Sequence, residues 1–197
     1  MRIFRHHENV PGAFQGAVVA VGNFDGVHLG HRALIEEWAA LRGQAAAALE
    51  EAFSRAAGVV GQRADTPEIV KDDTDRRYPL YRVSLQVPRI ASGAVWVALG
   101  WTRGGLLRPS GESWPYTGIK APGAGKGDAA YDTAKSLLRE AAARRLWTKS
   151  STSASGWVWW NYLRLEASET DLDAYAVRHV EGLVDAWKAL DSEIHGR

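Results

Sequence analysis

The chain contains no cysteine, one methionine and no hydrophobic run long enough to cross a membrane. Without cysteine there can be no disulfide framework, no thiolate metal site and no cysteine nucleophile. The apolar run at residues 17–21 is far shorter than a membrane span, and the residues before it include no apolar stretch of the kind a secretion signal carries. We therefore expect a cytoplasmic protein without a membrane partner.

An excess of charge of either sign is also missing. The chain has 24 lysines and arginines against 23 aspartates and glutamates, a net charge of +1, so nothing draws the whole molecule to a polyanion. We do not expect nucleic acid as a partner. A length of 197 residues fits one domain, or one domain with a small appendage.

Tryptophan, in contrast, is abundant, with nine residues. The first interpretation is a tryptophan-rich core, because large aromatic side chains bury much apolar area. The alternative is an aromatic surface for single-stranded nucleic acid, made of three tryptophans and the basic residues at the end of a predicted helix. That surface would consist of Trp147, Trp157, Trp159, Arg139, Arg144, Arg145 and Lys149.

The first half of the chain shows a strand, a helix and a hairpin. Residues 17–22 have the pattern of a buried strand, and residues 32–57 carry apolar side chains at helical spacing, with Gly58 as a plausible stop. Residues 61–78 are polar and predict an exposed loop. Two strands follow within 80–101, joined too closely for a parallel crossover, so we expect an antiparallel pair.

The second half predicts two helices with one strand between them. Residues 109–127 are rich in proline and glycine and predict a long loop, and Asp128 can cap a helix to about Trp147. After a polar linker at 149–155, residues 157–163 predict a strand with Trp157 and Trp159 on one face. Asp171 can cap the last helix. The expected fold class is α+β: a strand–phosphate-loop–helix unit, then a mainly antiparallel sheet with amphipathic helices.

The segment from residue 22 to 31 carries the most chemical information. It reads Gly-Asn-Phe-Asp-Gly-Val-His-Leu-Gly-His between the predicted strand and the predicted helix. Glycines let the backbone approach a phosphate closely, and the N–H groups and dipole of a helix start attract an anion. His28 and His31 would add donors to the same anion. The isolated His179 and His195 have no partner at metal-ligand spacing, and we predict no protein metal site.

On this motif, residues 1–35 resemble the bacterial FAD synthetase family, the adenylyltransferase half of bifunctional riboflavin kinase/FAD synthetase. The resemblance implies a nucleotidyltransferase of flavin biosynthesis that binds ATP with Mg²⁺ and transfers AMP to FMN. His28 and His31 would be the catalytic residues and would stabilise the transferring phosphoryl group. The implied nucleotide-binding residues are Gly22, Asn23, Phe24, Asp25, Gly26 and Gly30.

The resemblance ends near Ile35, and the second strand and its Phe-x-Pro-His-type motif have no counterpart afterwards. The sequence therefore divides into a FAD-synthetase-like segment, 1–35, and an α+β domain of unknown function, 36–197. Two alternatives stay open. Either the chain is an FMN adenylyltransferase, or it is a hybrid chain whose second part is a non-enzymatic binding domain behind a relic motif. The sequence does not fix the oligomeric state.

Overall fold

The computed structural model describes residues 29–91, 95–102, 115–121, 127–150, 156–163 and 171–196, with side chains from Ala33 onward. Four helices and five strands make up this part of the chain. In order they are α1 Leu29–Gly61, β1 Val70–Asp72, β2 Leu80–Ser84, β3 Trp96–Gly100, β4 Tyr116–Lys120, α2 Ala129–Leu137, α3 Arg139–Arg144, β5 Trp157–Tyr162 and α4 Leu172–His195.

The five strands form one sheet in which each strand pairs antiparallel with the next along the chain. The expected hairpin within 80–101 is confirmed as β2 and β3, with Val83 opposite Val97. The α+β class with an antiparallel sheet is likewise confirmed. The predicted strand at 17–22 and its phosphate loop lie outside the described residues.

Helix α1 is longer than predicted and divides into two unlike halves. It continues through Gly58 to Gly61, so the predicted stop at Gly58 is wrong. Val60 is buried, and this burial offsets the low helix propensity of the glycines around it. From Leu49 onward one side of α1 belongs to the core, whereas Leu34, Ile35, Trp38 and Leu41 in the first half are 52–64% exposed. The boundary predicted between residues 35 and 36 falls inside this continuous helix.

Helices α1 and α4 run in the same direction against each other. Arg55 pairs with Asp173, and Arg63 pairs with Glu181 two turns further along both helices. Because α4 begins at Leu172, it starts beside the second half of α1. The first half of α1 therefore extends beyond the start of α4.

The main core lies between this helix pair and one face of the sheet. Phe53 of α1 is fully buried, stacks on Trp101 with ring centroids 5.5 Å apart and meets the edge of Tyr175 of α4 at 6.0 Å. The sheet contributes alternating side chains to the same cluster. These are Tyr81, Val83, Val97, Leu99 and Ile119. The indole of Trp187 in α4 donates to the Ser84 carbonyl at 2.6 Å and fixes α4 to the end of β2.

Two predicted loops contain strands. The polar stretch 61–78 includes the short edge strand β1, where Asp72 pairs with Leu80 of β2. The stretch 109–127 includes β4, an interior strand with Gly118 at its centre. Both strands lack a clear apolar alternation, and their pairing is set by neighbouring strands, so local patterning did not reveal them.

The region after β4 also differs from the prediction in detail. The helix expected from 128 to 147 is interrupted at Leu138, which separates α2 from α3. The strand expected at 157–163 is confirmed as β5, but its predicted faces are wrong. A register shift at Lys120 turns Trp157 to the face of Trp160, while Trp159 packs against the main core.

The two predicted helix caps are confirmed. The Asp128 carboxylate accepts from the N–H groups of Ala130 and Tyr131 at the start of α2. The Asp171 carboxylate does the same for Asp173 and Ala174 at the start of α4. Each satisfies backbone donors that the first helical turn leaves unpaired.

Candidate functional site

The predicted phosphate-binding residues stand directly before α1 and in its first turn. Helix α1 begins at Leu29, which places Gly30 and His31 in the first turn. The other predicted site residues lie outside the described part of the chain. They are Gly22, Asn23, Phe24, Asp25, Gly26 and His28. The predicted roles of His28 and His31 therefore stay predictions.

The start of α1 has an unusual charge pattern for a helix. Its first turn contains no acidic residue, and its sequence places His31 and Arg32 there. A cation such as arginine at a helix N-terminus is unfavourable by roughly 0.3–1 kcal/mol, because the dipole is positive at that end. An anion bound at this terminus would offset that penalty. Acidic side chains in the first turn would compete with such an anion for the backbone N–H groups, and none is present there.

A second polar cluster, which the sequence analysis missed, joins α2 to the residues before β5. The Lys135 ammonium donates to the Ser150 hydroxyl at 2.8 Å, and the Tyr131 hydroxyl lies 3.1 Å from the same oxygen. The ammonium also lies 5.7 Å from the Trp159 ring, and the Trp159 indole donates to the Lys135 carbonyl. These contacts fix residues 149–150 against α2.

The face of the sheet opposite the helices carries an aromatic cluster. Tyr116, Trp157, Trp160 and Tyr162 meet edge to face with ring centroids 4.9–6.3 Å apart. Burial raises the pKa of Tyr116 to about 12, so its hydroxyl stays neutral at physiological pH. Gly118 lies beneath these rings, and a Cβ there would collide with the backbone of Trp159 and Trp160. The cluster is a small second core.

Cations accompany this second core. Arg82 lies 3.9 Å from the Trp96 ring centroid, and Lys149 lies 5.5 Å from that of Trp160. Burial lowers the pKa of Lys120, whose ammonium lies 5.4 Å from the Trp157 ring. These contacts hold the rings and the cations to each other within the fold.

The alternative surface for single-stranded nucleic acid is not formed as proposed. Trp147 is only 5% exposed and Trp157 only 7%, so neither presents a ring face for stacking. Arg144 and Arg145 both pair with Glu193 of α4, at 2.6 and 2.9 Å. The arginines thus connect α3 to α4, and the interpretation of most tryptophans as core residues is supported.

His179 is the most strongly perturbed histidine in the described residues. It lies on α4 with its ring 4.4 Å from that of Tyr175, and its Nε2 is buried without a hydrogen-bond partner. Burial, together with neighbouring Arg178, lowers its pKa to about 4. The neutral imidazole is therefore the form that the fold accommodates.

No group of three or more potential ligands that could hold a metal ion occurs among the described residues. Within the same residues, no helix combines the length and apolar character needed to cross a membrane. A shallow groove of about 170 Å³ lies between the end of α1 and α4, and the Arg63–Glu181 ion pair crosses it. Two of the four charged residues that line the groove, Arg63 and Glu181, are thus paired with each other.

Comparison with known families identifies the N-terminal segment. Residues 11–56 match the FAD synthetase family model. The predicted FAD synthetase segment is thereby confirmed, and the match continues past Ile35 to Ala56 of α1. It spans under a quarter of the chain and ends before the first strand of the antiparallel sheet. No curated protein and no solved structure matches the chain.

Proposed function

We propose that the N-terminal segment binds the phosphates of ATP and that the chain acts as an FMN adenylyltransferase. In this reaction a phosphate oxygen of FMN attacks the α-phosphorus of ATP. The bond from that phosphorus to pyrophosphate breaks, and FAD and pyrophosphate are the products. The observation that carries the proposal is the FAD synthetase match over residues 11–56, which includes every predicted site residue.

The residues at the start of α1 suit this chemistry. Adenylyl transfer needs no protein nucleophile, but it needs stabilisation of negative charge on the phosphates. Backbone N–H groups of the first turn, His28, His31 and the cationic Arg32 can supply that stabilisation. The absence of acid from this turn leaves the positive end of the helix to the nucleotide.

Mg²⁺ fits the same donor set as a companion of ATP. Asn23 and Asp25 bring oxygen atoms of the type that Mg²⁺ prefers, and most of its remaining ligands would be phosphate oxygens and water. The ion would neutralise charge on the phosphates when bound. Asn23 and Asp25 would orient the loop around it, and Gly26 and Gly30 would let the backbone come close.

FAD formation tests the activity directly. The full chain is incubated with FMN, ATP and MgCl₂, and FAD is separated by chromatography and quantified by fluorescence. We expect FAD and pyrophosphate in equal amounts, and a loss of at least about 100-fold in the variant His28→Ala/His31→Ala. His195→Ala is the matched control, because His195 is an exposed histidine in the last turn of α4. No FAD from folded wild-type protein would refute the proposal.

A second candidate is a non-enzymatic binding domain with a relic nucleotide motif. The observation in its favour is that the second half of α1 packs in one core with α4 and an antiparallel sheet whose strands all lie beyond the FAD synthetase match. The fold of residues 70–196 is thus accounted for by its own antiparallel sheet, which this second candidate takes as the binding domain. The two candidates differ in one measurable respect: only the first requires ATP to bind.

A further inference from the structure

Three polar side chains meet at the hydroxyl of Ser150, beside α2. The Lys135 Nζ lies 2.8 Å from the Ser150 Oγ, and the Tyr131 hydroxyl lies 3.1 Å from the same atom. Tyr131 and Lys135 are four residues apart on α2, so both project from the same side of the helix. One serine oxygen is thus in hydrogen-bond contact with an amine and a phenol, and both of these groups can exchange protons.

The surrounding fold holds both sides of this cluster in place. Tyr131 is fully buried, and the Trp159 indole donates to the Lys135 carbonyl at 3.1 Å, which connects α2 to β5. On the other side, the backbone of Lys149 exchanges two hydrogen bonds of 2.9 Å with that of Trp160 in β5. The residue before the serine is therefore fixed to the same strand as the lysine. Reacting groups are most effective when their geometry is set before the substrate arrives.

The contact between the lysine and the serine lies within reach of solvent. Tyr131 is buried, whereas Lys135 and Ser150 are each partly exposed. The Ser150 hydroxyl therefore lies where the interior of the protein meets its surface. The rings of Tyr131 and Trp159 lie 5.4 and 5.7 Å from the Lys135 Nζ, and such apolar walls suit the apolar part of a small substrate.

Lys135 has a different kind of polar partner from that of Lys71. Lys71 pairs with the carboxylates of Glu50 and Asp73, whereas Lys135 pairs with no carboxylate in the part of the chain that the structure describes, and its hydrogen bond goes to a hydroxyl. A neighbouring carboxylate favours the charged form of an amine. Without that neighbour, the Lys135 amine can lose its proton more readily, and a neutral lysine is the base that activates serine in Ser–Lys enzymes.

We propose that Ser150 is a nucleophile activated by Lys135, and that this cluster cleaves small, uncharged carboxylic esters. The neutral Lys135 amine takes the hydroxyl proton as the Ser150 Oγ bonds to the carbonyl carbon of the ester. The bond from that carbon to the alcohol oxygen then breaks, and the lysine gives the proton to the leaving alcohol. Water hydrolyses the acyl-serine, which releases the carboxylic acid and restores the hydroxyl.

This activity does not depend on nucleotide binding. Lys135 and Ser150 both lie beyond the FAD synthetase match, which ends at residue 56. Ester cleavage can therefore fail while FAD formation succeeds, and FAD formation can fail while ester cleavage succeeds.

Covalent labelling tests the nucleophile. The full chain is incubated with an alkyl fluorophosphonate, whose P–F bond breaks as an activated serine oxygen bonds to phosphorus, and peptide mass spectrometry locates the adduct. We expect a single adduct, on Ser150, which Ser150→Ala should abolish. Ser136→Ala is the matched control, because Ser136 is an exposed serine on the same helix as Lys135. No adduct on folded wild-type protein, or an adduct that Ser150→Ala leaves unchanged, would overturn the proposal.

Lys135→Arg distinguishes a base from a structural hydrogen-bond donor. Arginine keeps the positive charge and can donate to the Ser150 hydroxyl, but it does not accept a proton at neutral pH. We expect fluorophosphonate labelling and the hydrolysis of p-nitrophenyl acetate to slow at least about 100-fold in this variant. Lys188→Arg on α4 is the control and should change neither rate. Labelling of Lys135→Arg at the wild-type rate would show that Lys135 is only a structural donor and would overturn the proposal.

Discussion

Replacing Phe53 by alanine should destabilise the protein severely, because this ring connects α1, α4 and the sheet. Phe53 is fully buried and touches both Trp101 and Tyr175. Truncation of a buried phenylalanine costs about 3–5 kcal/mol, from lost transfer free energy and the cavity left behind. Total stabilities of small domains are about 5–15 kcal/mol, so the variant should lose a large part of its stability. Urea unfolding followed by circular dichroism measures the change.

Trp38→Ala is the contrasting substitution in the same helix. Trp38 is 53% exposed, and alanine is the better helix former, so the free energy of unfolding should change by less than about 0.5 kcal/mol. Both variants are measured in the same urea-unfolding assay. If Trp38→Ala were as destabilising as Phe53→Ala, the division of α1 into a packed half and an uncovered half would be refuted.

Three further predictions concern a pair of glycines, a histidine and a helix cap. Gly118→Ala should cost at least about 2 kcal/mol because its Cβ meets strand backbone, whereas Gly43→Ala, with open space around it, should stabilise α1 by about 0.5–1 kcal/mol. Since the pKa of His179 is about 4 in the fold and 6.5 when unfolded, the unfolded chain takes up the proton first as the pH falls. The free energy of unfolding should therefore fall by roughly 1–2 kcal/mol between pH 6.5 and 4. In His179→Gln, urea unfolding at the same pH values should no longer show this loss. Asp171→Ala should cost about 0.5–2 kcal/mol in the same assay, and an unchanged midpoint would contradict the capping role.

Much of the fold follows from local patterns in the sequence. The alternation around Val83 and Val97 identifies the hairpin, and the capping aspartates identify the starts of α2 and α4. Strands β1 and β4 were not predicted, because their positions depend on long-range pairing with β2, β3 and β5. The faces of β5 were assigned wrongly because the register shift at Lys120 depends on the neighbouring strand, which its own sequence does not reveal.

The site is predictable in a different way. The motif from Gly22 to His31 indicated its family without any structure, and the match over residues 11–56 supports that identification. The apolar side chains at helical spacing in α1 were also visible as periodicity, but periodicity does not distinguish a buried side chain from an exposed one. The structure makes that distinction: Phe53 is buried, whereas Trp38 and Leu41 are exposed.

Titration calorimetry of ATP with Mg²⁺ into the full chain tests the central claim most directly. The account predicts micromolar binding that disappears in His28→Ala/His31→Ala while the circular dichroism spectrum is unchanged. Binding of the same affinity in that variant would show that the motif is not the nucleotide site. No binding heat from folded wild-type protein would contradict the claim that residues 11–56 hold a working nucleotide-binding unit.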